Sequence, residues 1–331
     1  MATQDTALVL GATGGIGGEV ARQLVDAGWT VRALSRRHVP VGDDTPGISW
    51  ITGDALNRHE VMAAAEGCSV IVHAVNPPGY RRWASLVLPM LDNSIEAAIA
   101  QGATLVLPGT TYNFGPDAFP VLTEDSPQHP LTRKGAIRVE LERRLFDATG
   151  SGARVIIVRA GDFFGPRAGN NWFSQGLVKP GKPVGKIIYP GAPGIGHQWG
   201  YLPDVARTMV ELLARREALG PFSCFHMAGH WDGDGTALTG AICRAVHRHA
   251  GRPARVVGLP WWLLTLASPF VETFREMREM RYLWQTPIRM DNAKLVATLG
   301  YEPHTPIDEA VVATLVGIGA LDPMPAAPGL A

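Results

Sequence analysis

At 331 residues the chain exceeds the size at which one hydrophobic core usually stops growing, which predicts one large domain or two closely packed ones. Hydrophobic residues at 46% against 18% charged place it with folded globular chains rather than disordered ones. Thirty basic residues balance thirty acidic ones with no long basic run, so nothing electrostatic asks for a nucleic acid or an anionic membrane, and small-molecule partners are expected. The cysteines, Cys68, Cys224 and Cys243, lack C-x-x-C spacing; neither a disulfide framework nor a metal site is expected, and a reducing cytoplasm fits. The N-terminus lacks the basic flank and apolar core of a signal peptide, and the apolar run LPWWLLTLASPFV is too short to span a bilayer. That run reads as a buried helix or partner contact, or as a segment pressed on a membrane surface.

Along the first 160 residues, β-rich runs alternate with helical ones. ALVLGATGG leads into the helical IGGEVARQLVDAG; TVRALSR and GISWITGD are a second and third strand; VMAAAEG is a short helix and SVIVHAV a fourth strand. A helix through LPMLDNSIEAAIAQG, a strand at ATLVLPG, a helix at KGAIRVELERRLFDATG and a strand at ARVIIVRAG complete the series. Such alternation predicts βαβ crossovers, hence an α/β fold of Rossmann type with a doubly wound parallel sheet covered on both faces. After Gly165, glycine, proline and aromatics crowd the run to Gly196, a texture that shapes pockets more often than cores. YLPDVARTMVELLARR resumes a helical pattern, residues from about 221 read as mixed strand and helix, and PMPAAPGLA reads as a frayed tail. The expected organisation is a dinucleotide-binding domain over 1–165, rejoined by 198–220, with a smaller substrate lobe from 166–197 and 221–322 and a tail over 323–331.

LVLGATGGIGGEV carries Gly11, Gly14 and Gly17 where an apolar strand meets a helix. Close backbone approach needs residues without a β-carbon, and the following helix N-terminus offers free N–H groups and a positive dipole end to a pyrophosphate. Thr13, Gly15 and Ile16 belong to the same turn, and Ala74, ending the fourth strand, is expected beside it. At the end of the second strand an acid would select NAD(H) and an arginine would accommodate a 2′-phosphate. The chain has Ser35, Arg36 and Arg37 there, which favours NADP(H) over NAD(H). Asp54, after the third strand, reads as an adenine-edge contact or a turn residue.

These residues resemble the extended short-chain dehydrogenase/reductase superfamily, which includes NAD-dependent epimerases and dehydratases. The matches are GATGGIG, the GD at 53 and 54, GTTYNFGP, VRAGDFFGP and HQWGYLPDVAR, and they cover about residues 5 to 220. The resemblance implies a nicotinamide dinucleotide cofactor and a Ser or Thr, a Tyr and a Lys as the reacting groups, the last two spaced Y-x-x-x-K; homodimerisation through two long sheet-flanking helices is also implied. Thr110 falls at the hydroxyl position. KGAIRVELE puts Lys134 where the tyrosine belongs and Arg138 where the lysine belongs, so the expected acid/base is missing.

At 100° per residue, Ile137, Leu141, Leu145 and Ala148 fall within roughly 80° of arc, and Lys134 and Arg138 lie in or beside it. A solvated face explains this poorly, because unpaired buried charge is costly; a phosphate, a ribose edge or a carboxylate must meet them. Arg138 stays protonated and its fork of donors suits ribose hydroxyls or a phosphate. Lys134 could shuttle a proton if desolvation and the neighbouring arginine depress its pKa, or could form a structural salt bridge. Tyr112 could supply a phenol if its loop turns inward, or could pack. His197 and Tyr201 read as structural or substrate-lining, and the HRH at 247–249 as exposed helix. Tyr80, Arg82 and Trp83, with Trp172 and Phe173, suggest an aromatic-lined pocket for an apolar or ring-bearing substrate, or lobe packing. The lack of a cationic cluster argues against a nucleotide-diphosphate sugar. The leading expectation is an NADP(H)-dependent oxidoreductase acting on a carbonyl or imine group of a small molecule; the alternatives are an epimerase or dehydratase that retains its cofactor, and a noncatalytic NADP(H)-binding sensor.

Overall fold

The computed structural model describes residues 5–36, 46–77, 82–167, 169, 171–251 and 253–323. The elements run β1 (Thr6–Leu10), α1 (Gly15–Asp26), β2 (Thr30–Ser35), β3 (Ile48–Thr52), α2 (Arg58–Ala65), β4 (Val70–His73), α3 (Trp83–Gln101), β5 (Thr104–Gly109), β6 (Val121–Leu122), α4 (Arg133–Thr149), β7 (Arg154–Arg159) and β8 (Asp162–Phe164). They continue with β9 (Lys186–Tyr189), β10 (His197–Tyr201), α5 (Leu202–Ala214), β11 (Phe222–His226), β12 (His230–Asp232), α6 (Ala237–Ala250), β13 (Arg255–Gly258), α7 (Trp261–Ala267), α8 (Glu272–Glu279), β14 (Arg289–Met290), α9 (Ala293–Leu299) and α10 (Ile307–Gly317).

Seven strands form one parallel sheet in the order β11-β7-β5-β4-β1-β2-β3. Alternate residues of each strand enter opposite cores. Val9, Val31, Val72 and Val158 pack with α1 and α5, whereas Leu8, Leu10, Ile71 and Leu105 pack with α2, α3 and α4. Burial on both faces explains why these strands read as continuous apolar runs. Phe222–His226 pairs with β7 as the sheet's edge strand, so the sheet extends past residue 220 and the lobe expected to resume at 221 starts later. The reason is register: Phe225 alternates into the same core as Val158, which the mixed texture of that segment concealed.

A third core is built from β8–β10–β12, the β9–β13 pair, α6 and α10, around Phe164, Trp199 and Trp284, while Leu295 and Leu299 of α9 return to the sheet core with Val158. A small fourth cluster joins Phe114 and Leu122 to Met280 and Leu283, tying the β5–α4 connection to the segment after α8. Among the described residues no helix is long and apolar enough to cross a membrane. The run at 259–271 forms α7 with Leu264 buried and Trp262, Leu266 and Phe270 exposed.

Candidate functional site

In open α/β sheets ligands bind where the strand order reverses, here beyond the carboxyl ends of β1 and β4. Gly11 takes φ +93° there, and a β-carbon on it would lie 2.6 Å from the Ala74 carbonyl; a β-carbon on Gly17 would overlap the Gly11 carbonyl oxygen. Only glycine lets the turn press between the end of β4 and the first turn of α1. Gly14 caps α1 in an extended conformation and donates its N–H to the Gly11 carbonyl at 2.9 Å; it and Thr13 are exposed, while Gly15 and Ile16 are half-buried. No acidic side chain occupies that first turn, so the positive helix end is left for an anion, and the cradle fits a pyrophosphate. Ser35 closes β2, its carbonyl accepting from the Gly53 N–H at 2.9 Å, and Arg36 beside it is exposed; Arg37 lies outside the described residues. Asp54 makes a turn: its Oδ1 accepts from the Leu56 N–H at 3.0 Å, and its own N–H donates to Glu60 Oε2 at 2.6 Å.

Beside this cradle lies a cavity of about 150 Å³. Ile16, Ala74 and Val75 form its cradle side, Thr110 and Tyr112 enter from the end of β5, and Arg138 enters from α4. Asp162, Phe163, Asn171 and Trp172 also line it, as do Trp83 and His73. Thr132 caps α4 by accepting the Gly135 N–H at 3.0 Å, which aims the helix at the cavity. A β-carbon at Gly135 would overlap the Tyr112 carbonyl oxygen, so this glycine lets the helix start press on the Tyr112 loop.

Arg138 is 9% exposed, with its guanidinium carbon 5.1 Å from the Trp83 ring centroid. His73 is buried with Nδ1 2.8 Å from Ser94 Oγ. Ser94 Oγ also lies 3.2 Å from the Met90 carbonyl, which accepts from it. Burial, reinforced by the Arg138 charge, pushes the His73 pKa down to about 3, which keeps the ring neutral.

Lys134 does not join this group. It is 2% exposed and lies outside the cavity lining, and its ammonium meets two carboxylates of α8, Glu276 and, at 2.6 Å, Glu279. Glu279 Oε1 also accepts the backbone N–H groups of Arg133 at 2.7 Å and Lys134 at 3.4 Å, as an acid should at a helix N-terminus. The two cations on the core-facing stripe diverge because Lys134 sits in the first turn of α4, under α8, while Arg138 sits one turn further in. The salt-bridge reading of Lys134 is the arrangement observed, in place of a proton shuttle facing the site.

Behind Thr110 runs a buried polar chain. The Thr110 hydroxyl donates to Asn113 Oδ1 at 3.4 Å and accepts the Tyr112 N–H at 3.3 Å. Asn113 donates to Gln128 at 3.0 Å, and Gln128 to Glu142 at 3.2 Å. Glu142 pairs with Arg159, whose Nη1 donates to His226 Nε2 at 2.9 Å and to Cys224 Sγ at 2.8 Å. Burial outweighs the Arg159 charge at Cys224 and pushes that thiol up to about 12, so it is an inert partner.

Of the residues expected to touch substrate, Trp83 and Trp172 line the cavity, and Tyr80 lies outside the described residues. Phe173 is 1% exposed and stacks on Phe164 at 5.9 Å inside the lobe core, one π-helical position past Trp172. His197 stands behind the wall, 2.9 Å from Asp162 Oδ2 and stacked on Trp284 at 3.8 Å. His73, Asp162 and Asn171 escaped sequence reasoning. The available signal for the first two was their place at or just past the carboxyl end of a parallel strand, in SVIVHAV and VRAGDFFGP. Among the described residues no group of three or more His, Cys, Asp or Glu could hold a metal ion.

Residues 11–176 match the model of a family described as NAD(P)H-binding. No curated protein matches the sequence. Among solved structures, the chain resembles UDP-glucose 4-epimerase from Brucella ovis in complex with NAD (TM-score 0.73, 15% identity, 96% of this chain and 99% of that one). It also resembles MoeE5 in complex with UDP-glucose and NAD (TM-score 0.70, 18% identity, 95% and 98%). A third likeness is to UDP-glucose 4-epimerase from Bifidobacterium longum in complex with NAD+ and UDP (TM-score 0.69, 15% identity, 94% and 97%). At these identities the likeness shows a shared fold alone.

Proposed function

Because the chain belongs to the NAD(P)H-binding family, we propose that it is an NADP(H)-dependent oxidoreductase of the extended short-chain type, acting on a carbonyl or imine group of a small, ring-bearing molecule. The observation that carries this reading is the convergence of Thr110, Tyr112 and Arg138 on one cavity beside the Gly11–Gly17 cradle. When bound, the nicotinamide dinucleotide supplies or accepts the hydride. Arg138, permanently charged, holds ribose hydroxyls or a phosphate oxygen from the position the family gives to lysine. The Thr110 hydroxyl orients the reacting oxygen or nitrogen. The Tyr112 phenol is the proton donor, a role Lys134 cannot take while clamped by Glu276 and Glu279. Arg36 at the end of β2, with no acid beside it, supports a 2′-phosphate and hence NADP(H).

The test is NADPH oxidation and NADP+ reduction over a panel of aldehydes, ketones and imines. Tyr112→Phe should lower kcat by about 10²-fold or more, the usual worth of a positioned proton donor, with NADPH affinity unchanged. Unaltered turnover in Tyr112→Phe removes the role assigned to the phenol. Tight NADPH binding with no turnover across the panel would favour a sensor instead. The shared fold with sugar-nucleotide epimerases supports a second reading, in which cofactor cycles within one turnover; it predicts cofactor that survives purification.

A further inference from the structure

Two charged side chains, Arg138 and Asp162, line the cavity, and only Arg138 has been given a role. Asp162 opens β8 and lines the same cavity, with its side chain 17% exposed. Among the described residues its ion-pair partner is His197, whose Nε2 lies 2.9 Å from Oδ2; no lysine or arginine neutralises it. His197 is held in place by its stack on Trp284, with ring planes 6° apart, and by an edge contact to Trp199 at 4.9 Å, so the carboxylate it contacts is fixed too. Phe163, Trp172 and Trp83 contribute aromatic rings to the same lining.

A rigid carboxylate among aromatic faces attracts a cation twice over, by direct charge and by the ring quadrupoles, and it repels phosphates and carboxylates. We propose that Asp162 is a specificity-determining anchor, and that the substrate is a small ring-bearing molecule with a protonated nitrogen that pairs with it. This rests on the reading of the cavity as the substrate site of an NADP(H)-dependent enzyme. His197 is a positioning residue in this scheme, acting through Asp162.

The probes are benzylamine, protonated at neutral pH, and its neutral isostere benzyl alcohol, titrated into NADP+-saturated protein by calorimetry and by the fluorescence of the wall tryptophans. Wild type should bind the amine at least about tenfold more tightly, the effect of one partly buried charge pair. Asp162→Asn should abolish the preference while NADP+ affinity stays unchanged. Equal binding of the two probes by wild type overturns the proposal without any variant. An Asp162→Asn change that weakens NADP+ and spares the amine preference assigns the carboxylate to the cofactor and also overturns it. Turnover of neutral ring ketones at rates equal to their amine-bearing counterparts would defeat this anchor while leaving the oxidoreductase reading standing; absence of NADP+ binding would defeat that reading itself.

Discussion

Glu142 and Arg159 show how single residues support a site they do not touch. Both are buried, at 6% and 1% exposure, and their pair ends the polar chain that begins at the Thr110 hydroxyl. Glu142→Gln should leave a buried guanidinium without its counter-charge and cost about 3 to 5 kcal/mol, read as a lower urea midpoint. A loss under about 1 kcal/mol would mean that Arg159 finds compensation elsewhere, with Glu124 a candidate since its charge also favours the Arg159 cation. The pair belongs to the helix-and-strand packing, so its variant should lose stability before it loses hydride transfer.

Between elements, the contact of α4 with α8 decides what Lys134 does. α8 is short and otherwise weakly anchored, its neighbours being α7 and the turn after it. Replacing Lys134 by Met keeps the stem but takes from Glu276 and Glu279 the cation they share, leaving Glu276 only the looser contact to Arg275 at 4.0 Å. The expected loss is about 2 kcal/mol, the scale of hydrogen bonds to a charged group. It should appear as faster amide exchange confined to α8 and the first turn of α4, with the central strands β1 and β4 unchanged. Turnover measured on the folded fraction should persist; its abolition with α8 exchange unaltered would return the lysine to the chemistry.

For the whole molecule, pH stability follows from three buried imidazoles. Burial first, then Arg138, Arg159 and His304 respectively, pushes His73 and His226 down to about 3 and His230 to about 4. Unfolded imidazoles titrate near about 6.5, so below that pH the unfolded chain binds more protons than the folded one. Stability from these groups is therefore complete above about pH 6.5 and is lost as pH falls toward about 3 to 4. Near pH 5 they alone should add roughly three protons to the uptake on unfolding, seen as a steady fall of the urea midpoint, and His226→Asn should remove about one of them. A midpoint level from about pH 7 to 5 would contradict neutral burial.

The sequence by itself determined the parallel sheet, the glycine cradle and the helix carrying the two cations, because these depend on local periodicity and on residues whose backbone freedom is intrinsic. It also marked Thr110, Tyr112, Trp83 and Trp172 as candidates for one cavity. Only the tertiary structure decided which of two cations one helical turn apart met a carboxylate pair and which met the cavity, since Glu276 and Glu279 lie more than a hundred residues from Lys134. The same holds for Phe222–His226 joining the sheet and for Asp162 held by His197: partners distant in the chain leave no local pattern, and charge and burial at a site are set by whatever element folds over it.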